Sequence, residues 1–515
     1  MKTTALIGIA LSMLPTLMTN AQNEPKAKKL TKTLTIHGHE RVDPYFWMNE
    51  RDSKPVLDYI NAENKHAESY FEPLQKLQSK LLQEFNETID PNEKSTPISV
   101  NGTLFQKKSF AGKDYQEIHM LNGTKSELFF DQNERSKEKS YYGLADWSLA
   151  PNNKILAFSE DHIGRRNNTN YFRNEDDHSL LKDEIHETNG SFEWANDNSS
   201  LFYVRKDPKT LRDFQVYRHV LGTDAKNDEL IFEESDESYF ISIYKSLSNK
   251  YVMIHCQSSL TSETRMINAD KPEEKPTVFL ARKKGHLYEV SDHEKGFYVL
   301  SNDKAPNNKI MYYQGWPSNT NAGQEVIAHS SSKLLEELLV LKKHLVIQSR
   351  EKGLPSIDIL NLESKKLEQL KMQEETYSLS LGFNDNFNTD MIYYSYNSLT
   401  TPSSVYTYDL EKKESQLFFQ KTLRDKTFKP ENYESKRTYA TANDGSKIPI
   451  SLVYKKGIDL KTAPMLLYAY GSYGYTISPS FSAIRLCLLN RGFVFAIAHI
   501  RGGKYLGESW YEDGK

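Results

Sequence analysis

The sequence predicts a β-propeller inserted into an α/β domain, and three observations predict it. A strand–turn–strand unit recurs through the middle of the chain. Sequence with helical periodicity precedes the repeat. Short apolar strands separated by a helix follow it. The 515 residues exceed one ordinary core. Aromatic residues make up 12%, with 31 Tyr and 24 Phe, and their side chains fit the half-buried faces of β-structure.

The repeat is clearest around two tryptophans. Asp146-Trp147-Ser148 leads through the polar turn Pro151–Lys154 into the apolar run Ile155–Phe158. Glu193-Trp194-Ala195 leads through Asn196–Ser199 into Leu201–Val204. Weaker copies place strands at Tyr251–Ile254, Phe297–Leu300, His344–Ile347 and Met391–Tyr394, with an earlier one at Thr103–Phe105. Several units continue into a second hairpin, as in Ser356–Leu360 followed by the turn Leu362–Lys365. About seven units of roughly 45–50 residues, each with four short strands, is the pattern of propeller blades. One blade cannot bury both of its faces, so neighbours stack around a channel. An irregular pair of β-sandwiches is the competing architecture, and seven evenly spaced units speak against it.

The flanks follow other periods. From Pro55 to Glu87 apolar residues recur at intervals of three and four: Val56, Tyr59 and Ile60, then Leu74, Leu77, Leu81 and Phe85. After about Thr438, Pro464–Tyr468 and Phe493–Ala498 are compact apolar runs bounded by Gly or Pro, with helix-like Ala483–Asn490 between them. Such strands belong to a sheet buried on both faces.

Composition excludes several functions. A formal charge of −3 with no long basic run argues against nucleic acid. No C-x-x-C or H-E-x-x-H spacing occurs, so no metal site is expected. Cys256 and Cys487 are the two cysteines, read as buried thiols rather than a bridge. Met1-Lys2, the apolar stretch Ala5–Met18 and Thr19-Asn20-Ala21 read as a secretory signal cleaved after Ala21. The apolar stretch is shorter than the roughly 20 residues that span a bilayer. The mature protein is expected outside the cytoplasm with no membrane span.

Five segments in order resemble the prolyl oligopeptidase family, and within it the oligopeptidase B branch. They are Arg41–Met48 with Val56–Asn64, the loop Leu467–Gly474, the strand and turn Arg491–Gly503, the segment Ser509–Lys515, and Phe192–Asp197 with Tyr203–Lys206. The resemblance implies a seven-bladed β-propeller inserted into an α/β-hydrolase domain, the latter incomplete in this chain. The expected division is a signal peptide at 1–21, an N-terminal helical segment of the hydrolase domain at 22–95, the propeller at 96–435 and the start of the catalytic domain at 436–515. It implies a serine peptidase of short peptides, cutting after Lys or Arg, with no cofactor. A proline-specific oligopeptidase and a non-catalytic peptide-binding propeller are the alternatives.

In that chemistry a histidine takes the proton of a serine hydroxyl and an acid orients the imidazole. The G-x-S-x-G turn that presents such a serine is absent from the sequence. Ser472 in Gly471-Ser472-Tyr473-Gly474 has the wrong spacing, and His499 at the end of an apolar strand reads as structural. The triad is therefore expected beyond Lys515, and these residues alone are expected to be inactive. The resemblance gives Tyr470 the role of hydrogen-bond donor to the oxyanion and places Tyr473 near bound substrate. Two departures from the family pattern stand out. Lys504 occupies the place of a third glycine after Gly502-Gly503, which puts the loop conformation in doubt. Ser478 and Ser480 stand where oligopeptidase B enzymes carry two aspartates.

Overall fold

The computed structural model describes residues 24–515 other than 319, 371 and 373. The expected signal segment lies outside the described residues. The described residues divide into two compact units, 24–87 and 88–515.

In the first unit, Lys32–Ile36 and His39–Asp43 form an antiparallel hairpin turned by His37 and Gly38, both at positive φ. Two helices follow, Lys54–Phe71 and Gln75–Thr88, joined by the short 3-10 turn Glu72–Leu74. Pro55 sits in the first turn of the first helix, where its missing N–H is not needed. Leu57, Ile60, Phe71, Leu74 and Leu77 stay exposed.

The second unit opens with seven blades. Five are separate four-stranded antiparallel sheets at 98–131, 240–278, 288–327, 333–370 and 377–420. The other two, blades 2 and 3, are fused into one seven-stranded sheet by the 15-residue strand Leu180–Trp194. Its first part pairs with Asn168–Asn174 as the outer strand of blade 2. Its last residues, Phe192–Trp194, pair with Ser200–Lys206 as the inner strand of blade 3. The ladder breaks between Thr188 and Phe192, with Glu187 at φ +60° and Gly190 at φ +101°. A Cβ at Gly190 would lie 2.7 Å from the Cβ of Ala145, so the crossing needs glycine. The strand runs predicted from sequence reappear as second strands of blades, among them Ile155–Asp161, Ser200–Lys206, Tyr251–Gln257, Gly296–Ser301 and Met391–Ser398. The polar turns before three of them place Asn153, Asn198 and Asn249 at φ +61°, +62° and +62°. Asparagine tolerates that region better than most residues.

Apolar clusters fill the space between consecutive blades. Phe105, Ile118 and Phe158 join blades 1 and 2; Phe202, Val204, Ile243 and Ile254 join blades 3 and 4; Val346, Ile357, Leu379 and Ile392 join blades 6 and 7. Between blades 7 and 1 lies a cavity of about 120 Å³ lined by Ile98, Leu104, Phe383, Tyr393 and Val405.

The remaining sheet has the order Tyr433–Thr441, Lys447–Lys455, Val494–Ala498, Met465–Ala469. The last two strands are parallel, paired from Met465 with Val494 to Ala469 with Ala498. The expected helix between them is a single turn, Leu486–Leu489, whose Leu486 and Leu489 pack under the sheet with Val453 and Ile497. Cys256 and Cys487 form no disulfide, and burial pushes the Cys256 thiol up to about 12.

Candidate active site

Parallel pairing brings the carboxyl ends of Met465–Ala469 and Val494–Ala498 side by side, so the loops after them meet. Gly474 N–H donates to the Gly502 carbonyl at 2.9 Å, and Lys504 N–H to the Gly474 carbonyl at 3.2 Å. Gly502 has φ +91°, and a Cβ there would collide with the carbonyl oxygen of Gly471. A Cβ on Gly471 would in turn strike the carbonyl of Arg501, and one on Gly503 would lie 2.5 Å from the Tyr475 carbonyl oxygen. Each glycine motif thus exists for the other: backbone approaches backbone with no room for side chains. Of positions 502 to 504, Gly502 alone takes positive φ. Lys504 therefore meets no backbone obstacle, and its ammonium pairs with Glu508 at 2.8 Å.

This clasp fixes the loop that carries both tyrosines singled out from sequence. Tyr470 is partly exposed, its ring edge-on to Tyr475 with centroids 5.9 Å apart. Tyr473 is held at φ +59°, uncommon for a bulky side chain, and leaves 91% of its surface free. Tyr473 lines a cavity of about 730 Å³ and Tyr470 does not. The cavity lining also comes from blade 4 (His255, Gln257), blade 5 (Tyr288, Glu289) and blade 6 (Glu336), and from Lys504, Glu508 and Tyr511. Asn307 Oδ1 accepts from the Glu508 N–H at 2.8 Å and ties the blade to the segment. Ser478 and Ser480 lie off the cavity; the Ser480 carbonyl accepts from Arg485, whose guanidinium lies 3.8 Å over the Phe495 ring. Sequence reading missed the blade residues of the wall. Their one local signal is a charged residue, Glu289, at an inner-strand position between buried Tyr288 and Val290.

His499, at the root of the second loop, meets Ser451 with Nε2 2.8 Å from Oγ. A serine–histidine pair at that distance has the form of an activated nucleophile. Ser451, however, is fully buried, and its Oγ also meets Thr376 of the propeller segment at 2.6 Å. Burial, with Arg437 and Arg350 nearby, pushes the imidazole down to about 3, so it is neutral and a poor base at neutral pH. Its ring stacks on Tyr505, with centroids 3.7 Å apart. The pair is a structural anchor.

Residues 25–421 match the family model described as the prolyl oligopeptidase N-terminal beta-propeller domain. The whole chain is 33% identical to dipeptidyl aminopeptidase BI of Pseudoxanthomonas mexicana, spanning 75% of that protein. Over 95% of its length it is 30% identical to protease 2 of Moraxella lacunata, spanning 72% of it. Oligopeptidase B from Leishmania major superposes with a TM-score of 0.87 at 28% identity, over 95% of this chain and 73% of that one. Blade architecture, the clasped tyrosine loop and these likenesses agree, and the chain belongs to the prolyl oligopeptidase family of peptide-bond hydrolases.

Proposed function

We propose that the chain forms the propeller and part of the catalytic body of a serine-type oligopeptidase that cleaves short peptides after Lys or Arg. The observation that carries this reading is the clasp of Gly471 and Gly502, which fixes Tyr470 at the carboxyl end of a parallel strand. Open α/β sheets keep their chemistry at that end. Tyr470 donates its phenol hydrogen bond to the oxyanion as the scissile carbonyl becomes tetrahedral, and Tyr473 contacts substrate in the cavity. The Ser-His-Asp triad is assigned to no residue of this sequence. The basic preference rests on the likeness to protease 2 and oligopeptidase B. The test uses a form of the enzyme that turns over arginyl peptides. Tyr470→Phe should lower kcat about 10²–10³-fold, the range for losing one oxyanion donor, with an unchanged melting temperature. An unchanged kcat would remove Tyr470 from the mechanism.

The likeness to a dipeptidyl aminopeptidase favours a second reading, stepwise release of dipeptides from a free amino terminus. Acetylated and free forms of one peptide separate the two, since only an endopeptidase cleaves both. We further propose export: amino-terminal sequencing of protein expressed from Met1 should begin at Gln22, and an intact Met1 in the cytosol would refute it.

A further inference from the structure

Charges on the wall of the 730 Å³ cavity are satisfied with one acidic exception. Glu336 is paired with Arg350 at 2.8 Å, Glu508 with Lys504 at 2.8 Å, and Glu512 with Lys515 at 2.6 Å. Glu289 has no ion pair or hydrogen bond among the described residues, with Lys304 on the same wall included. The position is fixed by the blade. Glu289 lies on the inner strand Tyr288–His293, in register with Leu300, between the buried side chains of Tyr288 and Val290. Alternation along the strand puts its side chain on the face opposite Tyr288 and Val290, the face that carries Leu300 toward blade 6, and there Glu289 and Leu300 both line the cavity. There it is open to cavity water, yet the surrounding protein pushes its pKa above the usual carboxylate range. An anion so placed gains more from a cation than one on the open surface, because less water screens it. Tyr473 stands on the same cavity with most of its ring free. A ring face of that kind also favours a cation.

We propose that Glu289 is a specificity-determining residue: its carboxylate, on the cavity that Tyr473 also lines, binds a cationic group of a short peptide. Either the amino-terminal ammonium or a Lys or Arg side chain supplies that chemistry. The inference takes the identity of the ligand, a peptide, from the peptidase reading above. It makes the propeller a reader of charge as well as a wall.

The test measures binding to this 515-residue chain, with no turnover required. Three probes carry a carboxyl-terminal fluorophore: tetra-alanine with a free amino terminus, its acetylated form, and acetylated Ala-Arg-Ala-Ala. Fluorescence anisotropy gives each Kd for the wild type, for Glu289→Gln, and for Glu325→Gln, which removes an acid from the outer strand of the same blade. At least one cationic probe should bind about 10-fold more tightly than acetylated tetra-alanine, the scale of one hydrogen bond to a charged group. Glu289→Gln should abolish that advantage and leave acetylated tetra-alanine unchanged, while Glu325→Gln keeps it. An advantage confined to the free amine assigns the ammonium; one confined to the arginine probe assigns the side chain. An advantage that survives Glu289→Gln, or none in the wild type, overturns the proposal. Were the charge-dependent binding to stand while no form of the enzyme cleaved a peptide, the peptidase reading would fall and this one would remain.

Discussion

Two strands of similar composition meet opposite fates. In blade 6, His344–Glu351 carries Leu345, Val346 and Ile347, all essentially without exposed surface. In the last sheet, Met465–Ala469 carries Met465, Leu466, Leu467 and Tyr468, each about half exposed. The first lies between two hydrogen-bonded neighbours, with blades 5 and 7 packed on its faces. Among the described residues the second is an edge strand paired on one side only. An apolar sequence specifies that a strand wants burial; the neighbours decide whether it is buried. An apolar edge of this kind is a surface that further strand pairing would cover, so the two regions differ in what their burial depends on.

The largest expected effect tests that contrast directly. Val346→Asp puts an unpaired charge into a filled interblade core and should cost about 4 kcal/mol or more, read as a collapse of the urea midpoint. Leu467→Asp should change the midpoint by less than about 1 kcal/mol and reduce self-association in light scattering. Equal losses at both sites would mean that the edge strand is covered in solution.

Next in size are two glycines of like conformation and unlike surroundings. Gly502 and Gly492 have φ +91° and +82°, but a Cβ at Gly492 meets nothing within 4 Å. Gly492→Ala should cost about 1 kcal/mol for backbone strain alone. Gly502→Ala adds a collision with the Gly471 carbonyl and should cost about 3 kcal/mol. It should also shift the emission of Trp510, whose carbonyl accepts from the Gly502 N–H at 3.0 Å. Similar losses would show that the clasp relaxes freely.

The regions should also titrate in opposite directions. On the inner strand of blade 3, desolvation by the surrounding protein and then the charge of Asp146 push half-buried Glu193 up to about 8; desolvation pushes Asp146, whose side chain keeps some exposed surface, up to about 6. The folded propeller therefore holds protons that the unfolded chain releases near pH 4 to 5, and this contribution falls as pH rises toward 8. His499 does the reverse. Its folded pKa of about 3 lies below the unfolded value, so the unfolded chain binds the extra proton, and stability falls as pH drops below about 6.5. Each slope is at most about 1.4 kcal/mol per pH unit. Glu193→Gln should flatten the alkaline limb of a stability–pH curve and leave the acid limb. A change confined to the acid limb would contradict the assignment.

The smallest effect tests the turns. Asn249→Gly keeps the left-handed backbone that the turn requires and should change stability by less than about 1 kcal/mol. A larger loss would assign the Asn249 side chain a role that its conformation does not require.

Much of the fold was legible because its determinants are local. A blade repeats a polar turn and an apolar run, and the left-handed backbone at Asn153, Asn198 and Asn249 follows from residues that tolerate it. The helical period from Pro55 onward and the two apolar runs after Thr438 are local for the same reason. The sequence also contained the pair of glycine motifs and Tyr470, because close backbone approach demands a residue type that can be read one position at a time. Tertiary structure alone decided the rest. Fusion of blades 2 and 3 through Leu180–Trp194 depends on where the chain crosses between sheets. The inertness of the Ser451–His499 pair depends on burial beneath Tyr505 and beside two arginines. The cavity joins His255, Glu289 and Glu336 to Tyr473 across long stretches of chain, and there Arg350 and Lys504 pair with Glu336 and Glu508 while Glu289 forms no ion pair. Burial, charge pairing and enclosure are sums over neighbours in space, and a sequence orders neighbours only along the chain.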